Sequence, residues 1–122
     1  MPHRKRPPDI RLKRAYEAPS DNDGTRVLVD RLWPRGVSKA DAALDLWLKD
    51  IAPSAGLRAW FGHEPERFAG FRERYTAEIL ANPEPLQRLR ELAAQGTLTL
   101  VYSARDSAHN DAVVLREILL GE

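Results

Sequence analysis

Apolar and polar positions change period several times along the chain, and each change marks a structural element. Between Ile10 and Tyr16, apolar Ile10, Leu12, Ala15 and Tyr16 stand among Arg11, Lys13 and Arg14. That pattern predicts a short strand with one solvated side, near a sheet edge. Pro19-Ser20-Asp21-Asn22-Asp23-Gly24 is turn chemistry, since proline fixes φ while Asn, Asp and Gly tolerate tight geometry. Val27-Leu28-Val29 is a continuous apolar run flanked by polar residues, the mark of a strand buried on both faces. Pro34 and Gly36 end it, with Trp33 as a large anchor nearby.

Ser38 is placed to cap a helix that starts at Lys39, with Asp41 completing a capping box. Leu44 to Ile51 fits two periods at once. Leu44, Leu46 and Leu48 alternate as in a strand, whereas Leu44, Trp47, Leu48 and Ile51 share a helical face, so both readings stay open. Pro53-Ser54 closes the segment in either case, and Ser54 can cap a brief helix carrying Leu57, Trp60 and Phe61. Gly62-His63-Glu64-Pro65 then punctuates the chain. Pro65 suits the first position of a helix whose Phe68, Phe71, Tyr75 and Ile79 form one apolar stripe. Asn82-Pro83 repeats the cap-plus-proline signal, and Leu86, Leu89 and Leu92/Ala93 face inward until Gly96 stops the helix. Thr97 to Tyr102 predicts a second buried strand, and a last helix from about Asn110 carries Val113, Val114, Leu115, Ile118 and Leu119. That helix is apolar around much of its circumference, so it packs on the sheet or partly against a second copy, which makes a homodimer one expected partner.

The helix–helix–strand–helix order of the second half favours α/β packing over a helical bundle. The expected architecture is a single compact α/β domain over residues 10–122, with a small, mostly parallel or mixed sheet packed by several helices. Residues 1–9 read as a flexible basic tail. A length of 122 residues with 43% hydrophobic content is enough for one core and excludes disorder for the body of the chain. The charge balance, Lys+Arg 19 against Asp+Glu 18, gives no general warrant for nucleic acid as a partner. The absence of cysteine removes disulfides, thiolate metal sites and cysteine nucleophiles. No apolar stretch reaches the roughly 20 residues that span a bilayer, and the start has no apolar segment of a signal peptide. The expectation is a cytoplasmic protein that does not engage a membrane.

Candidate chemistry gathers after the two apolar runs. Val27-Leu28-Val29 leads into Asp30-Arg31-Leu32-Trp33-Pro34-Arg35-Gly36 with Ser38-Lys39 beyond, and Leu98 to Tyr102 leads into Ser103-Ala104-Arg105-Asp106-Ser107-Ala108-His109-Asn110. In open α/β sheets ligands collect beyond the carboxyl ends of strands, so parallel neighbours would bring both endings to one rim. Arg31, Arg35 and Arg105 offer fork-shaped donors for phosphate or carboxylate, and Lys39 adds a compact charge. Helix starts near Lys39 and Asn110 add free N–H groups, and Gly36 allows close backbone approach. His63, Arg105 and Asn110 complete the candidate ligand set. The bland reading stands beside this one: Asp30 and Arg31 pair with neighbours at the core's edge, and His109 and Asn110 shape a helix start.

The leading expectation is a module that binds a small anion, a phosphate-bearing small molecule. An alternative is a metal-independent hydrolase or transferase with a His/carboxylate pair, for which His109, Asp30 and Tyr102 are the candidate catalytic groups. A third is a structural or regulatory interaction module. The chain has no glycine-rich phosphate loop, no Gly-x-Ser-x-Gly elbow around Ser103 or Ser107, and no clustered metal-ligand pattern, so no cofactor or metal is implied.

The combination of Val29-Asp30-Arg31-Leu32-Trp33-Pro34-Arg35-Gly36 with Lys39, Asp45-Leu46-Trp47, Ala52-Pro53-Ser54 and Trp60-Phe61-Gly62-His63 resembles the YeaO-like family of small bacterial and archaeal proteins of unknown function. The Phe71/Tyr75/Glu78 helix, Leu100-Val101-Tyr102-Ser103-Ala104, His109-Asn110 and Ala112-Val113-Val114-Leu115 extend the resemblance from Ile10 to Leu120. It implies a compact α/β fold and a functional grouping of Asp30, Arg31, Arg35, His63, Tyr102, His109 and Asn110. It supplies no substrate.

Overall fold

A computed structural model describes residues 8–121. The expected flexible tail falls mostly on residues 1–7, which lie outside the described residues. The elements run β1 (Ile10–Arg14), β2 (Thr25–Leu28), α1 (Lys39–Ala42), β3 (Leu46–Trp47), α2 (Ala55–Phe61), α3 (Phe68–Ala81), α4 (Pro83–Gln95), β4 (Leu98–Tyr102) and α5 (Asp111–Leu120), with short 3-10 turns at Asp21–Asp23, Lys49–Ile51 and Pro65–Arg67. All pairings in the sheet are parallel, in the order β1-β4-β2-β3. The fold is α/β, as the element order predicts.

The two apolar runs form the centre of the sheet because both of their faces are covered. Val27, Val29, Leu98, Leu100 and Tyr102 point into the core built with α2 to α5. Leu28 and Val101 point the other way, into a smaller cluster with Ala15, Trp33, Leu44 and Trp47. Each such side chain, fully buried, is worth about 1.5–3 kcal/mol of transfer free energy, so the doubly covered strands anchor the fold. β1 lies at the edge, as its half-polar pattern predicts. Registers of Val27 with Leu100 and Leu28 with Val101 bring the carboxyl ends of β2 and β4 level. The Val29 N–H continues the ladder to the Val101 carbonyl at 3.1 Å.

Several local expectations need correction. Leu44 to Ile51 is neither a full strand nor a helix: two residues pair as β3, and Lys49–Ile51 closes a 3-10 turn. Ser38 does cap α1, accepting from the Asp41 N–H at 3.0 Å, but α1 ends after four residues with Ala43 in the left-handed region. The reciprocal capping box forms elsewhere, between Ser20 and Asp23 inside what reads as a loop. Asn82 precedes α4 without a side-chain cap bond, whereas Ser54 caps α2 through Leu57. The final helix packs against β1, β4 and α3. Arg72 of α3 clasps Glu117 at 2.7 Å, and Arg116 donates to the Ile10 carbonyl at 2.7 Å. No helix among the described residues is long and apolar enough to cross a membrane.

Candidate functional site

The strand endings meet through one carboxylate. The Ser103 N–H and hydroxyl, just beyond β4, both donate to Asp30 Oδ2, just beyond β2, at 2.9 and 2.7 Å. Arg14 at the end of β1 donates to the carbonyls of Ala104 and Ser103 at 2.9 and 3.3 Å, joining a third strand to the ledge. The loop after β2 is held by two indoles. Trp47 donates to the Asp30 carbonyl at 2.8 Å, Trp33 donates to the Val37 carbonyl at 2.7 Å, and the two rings meet edge-on at 5.4 Å. Strand pairing and side-chain bonds thus fix where Arg31 and Arg35 emerge.

Above this ledge is a cavity of about 700 Å³. Trp33, Pro34, Ala52, Pro53, Phe61 and Phe71 supply apolar walls, and Asp30, Arg31, Arg35, Arg58, His63, Ser103, Arg105, Asp106, Asn110 and Asp111 supply polar ones. None of the four arginines joins an ion pair among the described residues. Arg58 goes further: its Nε is buried without a hydrogen-bond partner, a position that costs free energy. The residue is well anchored by its backbone. Ser54 caps α2, and Glu78 of α3 accepts from the Ser54 N–H at 2.9 Å and hydroxyl at 2.6 Å, holding the helix start in place. At the end of α2, Gly62 and His63 both adopt positive φ, 54° and 57°, an uncommon conformation for a histidine that sets His63 at the cavity wall.

The same lining contains a pair of carboxyls. Asp111, the first residue of α5, contacts Asp30. Burial first, then the negative charge of Asp30 and the hydrogen bond with it, push the Asp111 carboxyl well above its ordinary 3.8. The Ala112 N–H donates to Asp111 Oδ1 at 2.9 Å. Among the described residues, no group of three or more His, Asp or Glu side chains is arranged to hold a metal.

Of the residues singled out by sequence, Asp30, Arg31, Arg35, His63, Arg105 and Asn110 line this cavity. Lys39 sits exposed at the start of α1, away from it. Tyr102 belongs to the core at 2% exposure, and burial raises its hydroxyl above 10.0 although Asn110 hydrogen-bonds to it. His109 is outside the lining. Its Nδ1 is 2.8 Å from Asp106 Oδ2 and its ring meets Phe68 edge-on at 5.1 Å. Asp106 is tied to the Ala108 N–H at 2.9 Å and the His109 N–H at 3.1 Å. The Ala108 N–H and then the His109 side chain hold its carboxyl below 3.8. Asn110 caps α5 through the Val113 N–H at 3.0 Å and donates to the Asp106 carbonyl at 2.9 Å. The helix-shaping role weighed for His109 and Asn110 is therefore present in the geometry.

Arg58 and Asp111 escaped the sequence reading. Both carried a signal: each is a charged residue on an otherwise apolar helical face, Arg58 three before Phe61 and Asp111 three and four before Val114 and Leu115.

Comparison with known proteins agrees with the residue pattern. The family described as the inactive DUF488-N3 subclade matches residues 9–122. The chain is 46% identical over 111 residues to the uncharacterized protein YeaO of Escherichia coli, covering 91% of this chain and 96% of that one. It is 44% identical over 112 residues to uncharacterized proteins of Mycobacterium tuberculosis and Mycobacterium bovis, covering 92% of this chain and 94% of each relative. No solved structure matches. By these matches and by its own motifs, the chain belongs to the YeaO-like family, within the inactive DUF488-N3 subclade.

Proposed function

We propose that this protein binds a small phosphate-bearing molecule in the cavity beyond the carboxyl ends of β2 and β4. The observation that carries the reading is the set of four arginines, Arg31, Arg35, Arg58 and Arg105, that line one cavity without an ion pair among the described residues. Unneutralised guanidiniums around a recess attract a multiply charged oxyanion, and their planar forks match its oxygens. A cytoplasmic setting, where phosphorylated metabolites are abundant, belongs to the same reading.

The catalytic alternative draws on the His109–Asp106 pair, whose 2.8 Å separation is right for orienting an imidazole. The subclade's description as inactive favours binding over turnover. Calorimetric titration of inorganic phosphate and pyrophosphate into the wild type, Arg58→Ala and the Arg31→Ala/Arg35→Ala double variant tests the proposal. Affinity is expected to fall about tenfold or more in each variant, as loss of a charge-assisted hydrogen bond implies. Equal affinity in all three proteins rejects the site.

A further inference from the structure

Resting on the phosphate reading, we infer that the natural ligand is a phosphate ester whose organic part carries vicinal hydroxyls, bound by Asp30 and Asp111 while the arginines hold the phosphate. The two polar groups of the cavity call for opposite partners. Arg31, Arg35, Arg58 and Arg105 want acceptors, whereas Asp30 and Asp111 sit among the same lining residues and would repel a bare anion. A ligand that satisfies both must carry negative charge in one part and hydrogen-bond donors in another.

The carboxyl pair is built for hydroxyls. Asp30 Oδ2 is committed to Ser103, and Asp111 Oδ1 takes the Ala112 N–H. Among the described residues, Asp30 Oδ1 and Asp111 Oδ2 take no hydrogen bond from another residue's N–H or from a hydroxyl, and the two carboxyls bond to each other. Burial and the charge of Asp30 raise the Asp111 carboxyl, and with the bond between the two groups made, the pair presents acceptor lone pairs to an occupant. Hydroxyls donate to such acceptors without the negative charge of a phosphate, and two adjacent hydroxyls reach both carboxyls at once. Acidic side chains bind ribose hydroxyls by the same chemistry in dinucleotide sites.

Size and wall chemistry agree. A volume of about 700 Å³ falls in the range of sites for whole small molecules and far exceeds the needs of a free phosphate. The apolar side is furnished by Trp33, Pro34 and the Phe61–Phe71 pair, whose rings stack at 4.5 Å. A ring bearing hydroxyls on its edge and a phosphate at one end would present a surface to each wall.

The test is a calorimetric comparison of inorganic phosphate, ribose 5-phosphate, 2-deoxyribose 5-phosphate and adenosine monophosphate on the full chain. Ribose 5-phosphate should bind at least about tenfold tighter than either phosphate or the deoxy sugar, the effect of losing a satisfied hydrogen bond to a charged group. Asp30→Asn and Asp111→Ala should erase that preference. If Asp30→Asn does not fold, Asp111→Ala decides. Tighter binding of adenosine monophosphate than of ribose 5-phosphate identifies a nucleotide, and equal binding identifies a sugar phosphate; both support the diol. Equal affinities for phosphate, ribose and deoxyribose esters, or a preference that survives Asp111→Ala, overturn the inference while the arginine site stands. Failure of every phosphate-bearing probe to bind wild type overturns both.

Discussion

At the amino end of the sheet, Asp23 accepts from Arg26 at 2.6 Å and from Lys13 at 3.1 Å, and Arg26 turns its remaining donors onto the carbonyls of Ala42 and Ala43. At the carboxyl end, four arginines border a cavity without an ion pair among the described residues, and Asp30 and Asp111 crowd together. The same residue types therefore do different jobs at the two ends of one sheet. Where charge is neutralised locally, it closes the structure. Where it is left open or forced together, it stores free energy.

The largest effect expected from testing this contrast is at the closed end. Asp23→Ala should cost about 3–5 kcal/mol in chemical denaturation, because Arg26, only 4% exposed, would be left a buried charge without its partner. Acid should reveal the same network. Burial opposes ionisation of Asp23, but the Ser20 N–H, Lys13 and Arg26 outweigh it and keep its carboxyl below 3.8. Its stabilisation is then complete above 3.8 and disappears as pH falls through the lower folded-state value. The gap in stability between wild type and Asp23→Ala should narrow over that interval; a constant gap would deny the ionic contribution.

Gly24→Ala should follow, at about 1–3 kcal/mol. Gly24 has φ +62°, and an added Cβ would run into the Thr97 backbone carbonyl, which cannot swing aside because it accepts the Thr25 N–H at 3.0 Å. A thermal shift near zero would show that the amino end is looser than its hydrogen bonds imply.

Arg58→Ala, by contrast, should leave stability within about 0.5 kcal/mol or raise it, since it removes a donor whose Nε has no partner. A loss as large as that at Asp23 would mean the two ends are built alike. The last expected change is a gain at Asp111→Asn. The wild-type carboxyl titrates above 3.8 when folded, so the folded state is disfavoured once pH exceeds the unfolded value. The variant should match wild type in acid and be the more stable protein at neutral pH. Equal stability at both would remove the argument for a strained carboxyl pair.

Much of the framework can be read from the residues because each central strand carries its own instruction. Val27-Leu28-Val29 and Leu98 to Tyr102 are apolar at successive positions, which only coverage on both faces satisfies. The meeting of their endings followed from the general behaviour of parallel sheets, and Asp30 and Ser103 realise it. Leu44 to Ile51 was ambiguous for a physical reason: with only two residues in register, neither period has the length to prevail. The cavity was harder to read. Arg58 reaches it only because Glu78, twenty-four residues beyond Ser54, fixes the start of α2, and Asp111 meets Asp30 only when α5 lies against the sheet. Lys39 and His109 sit beside the right strand endings in sequence, but a four-residue helix and a local bond to Asp106 turn them elsewhere.

Placing β4 between β1 and β2 also governs how the molecule can assemble. Both early strands must wait for residues 98–102 before either gains its central neighbour, and Thr97 must find Asp9 across 88 residues of chain. Closing so long a loop precedes any reward from pairing. During synthesis the nascent chain would carry β1 and β2 without their shared central neighbour until almost the whole sequence had left the ribosome. Folding should therefore be a late, concerted event, and the interval before it is when the chain is most exposed to aggregation.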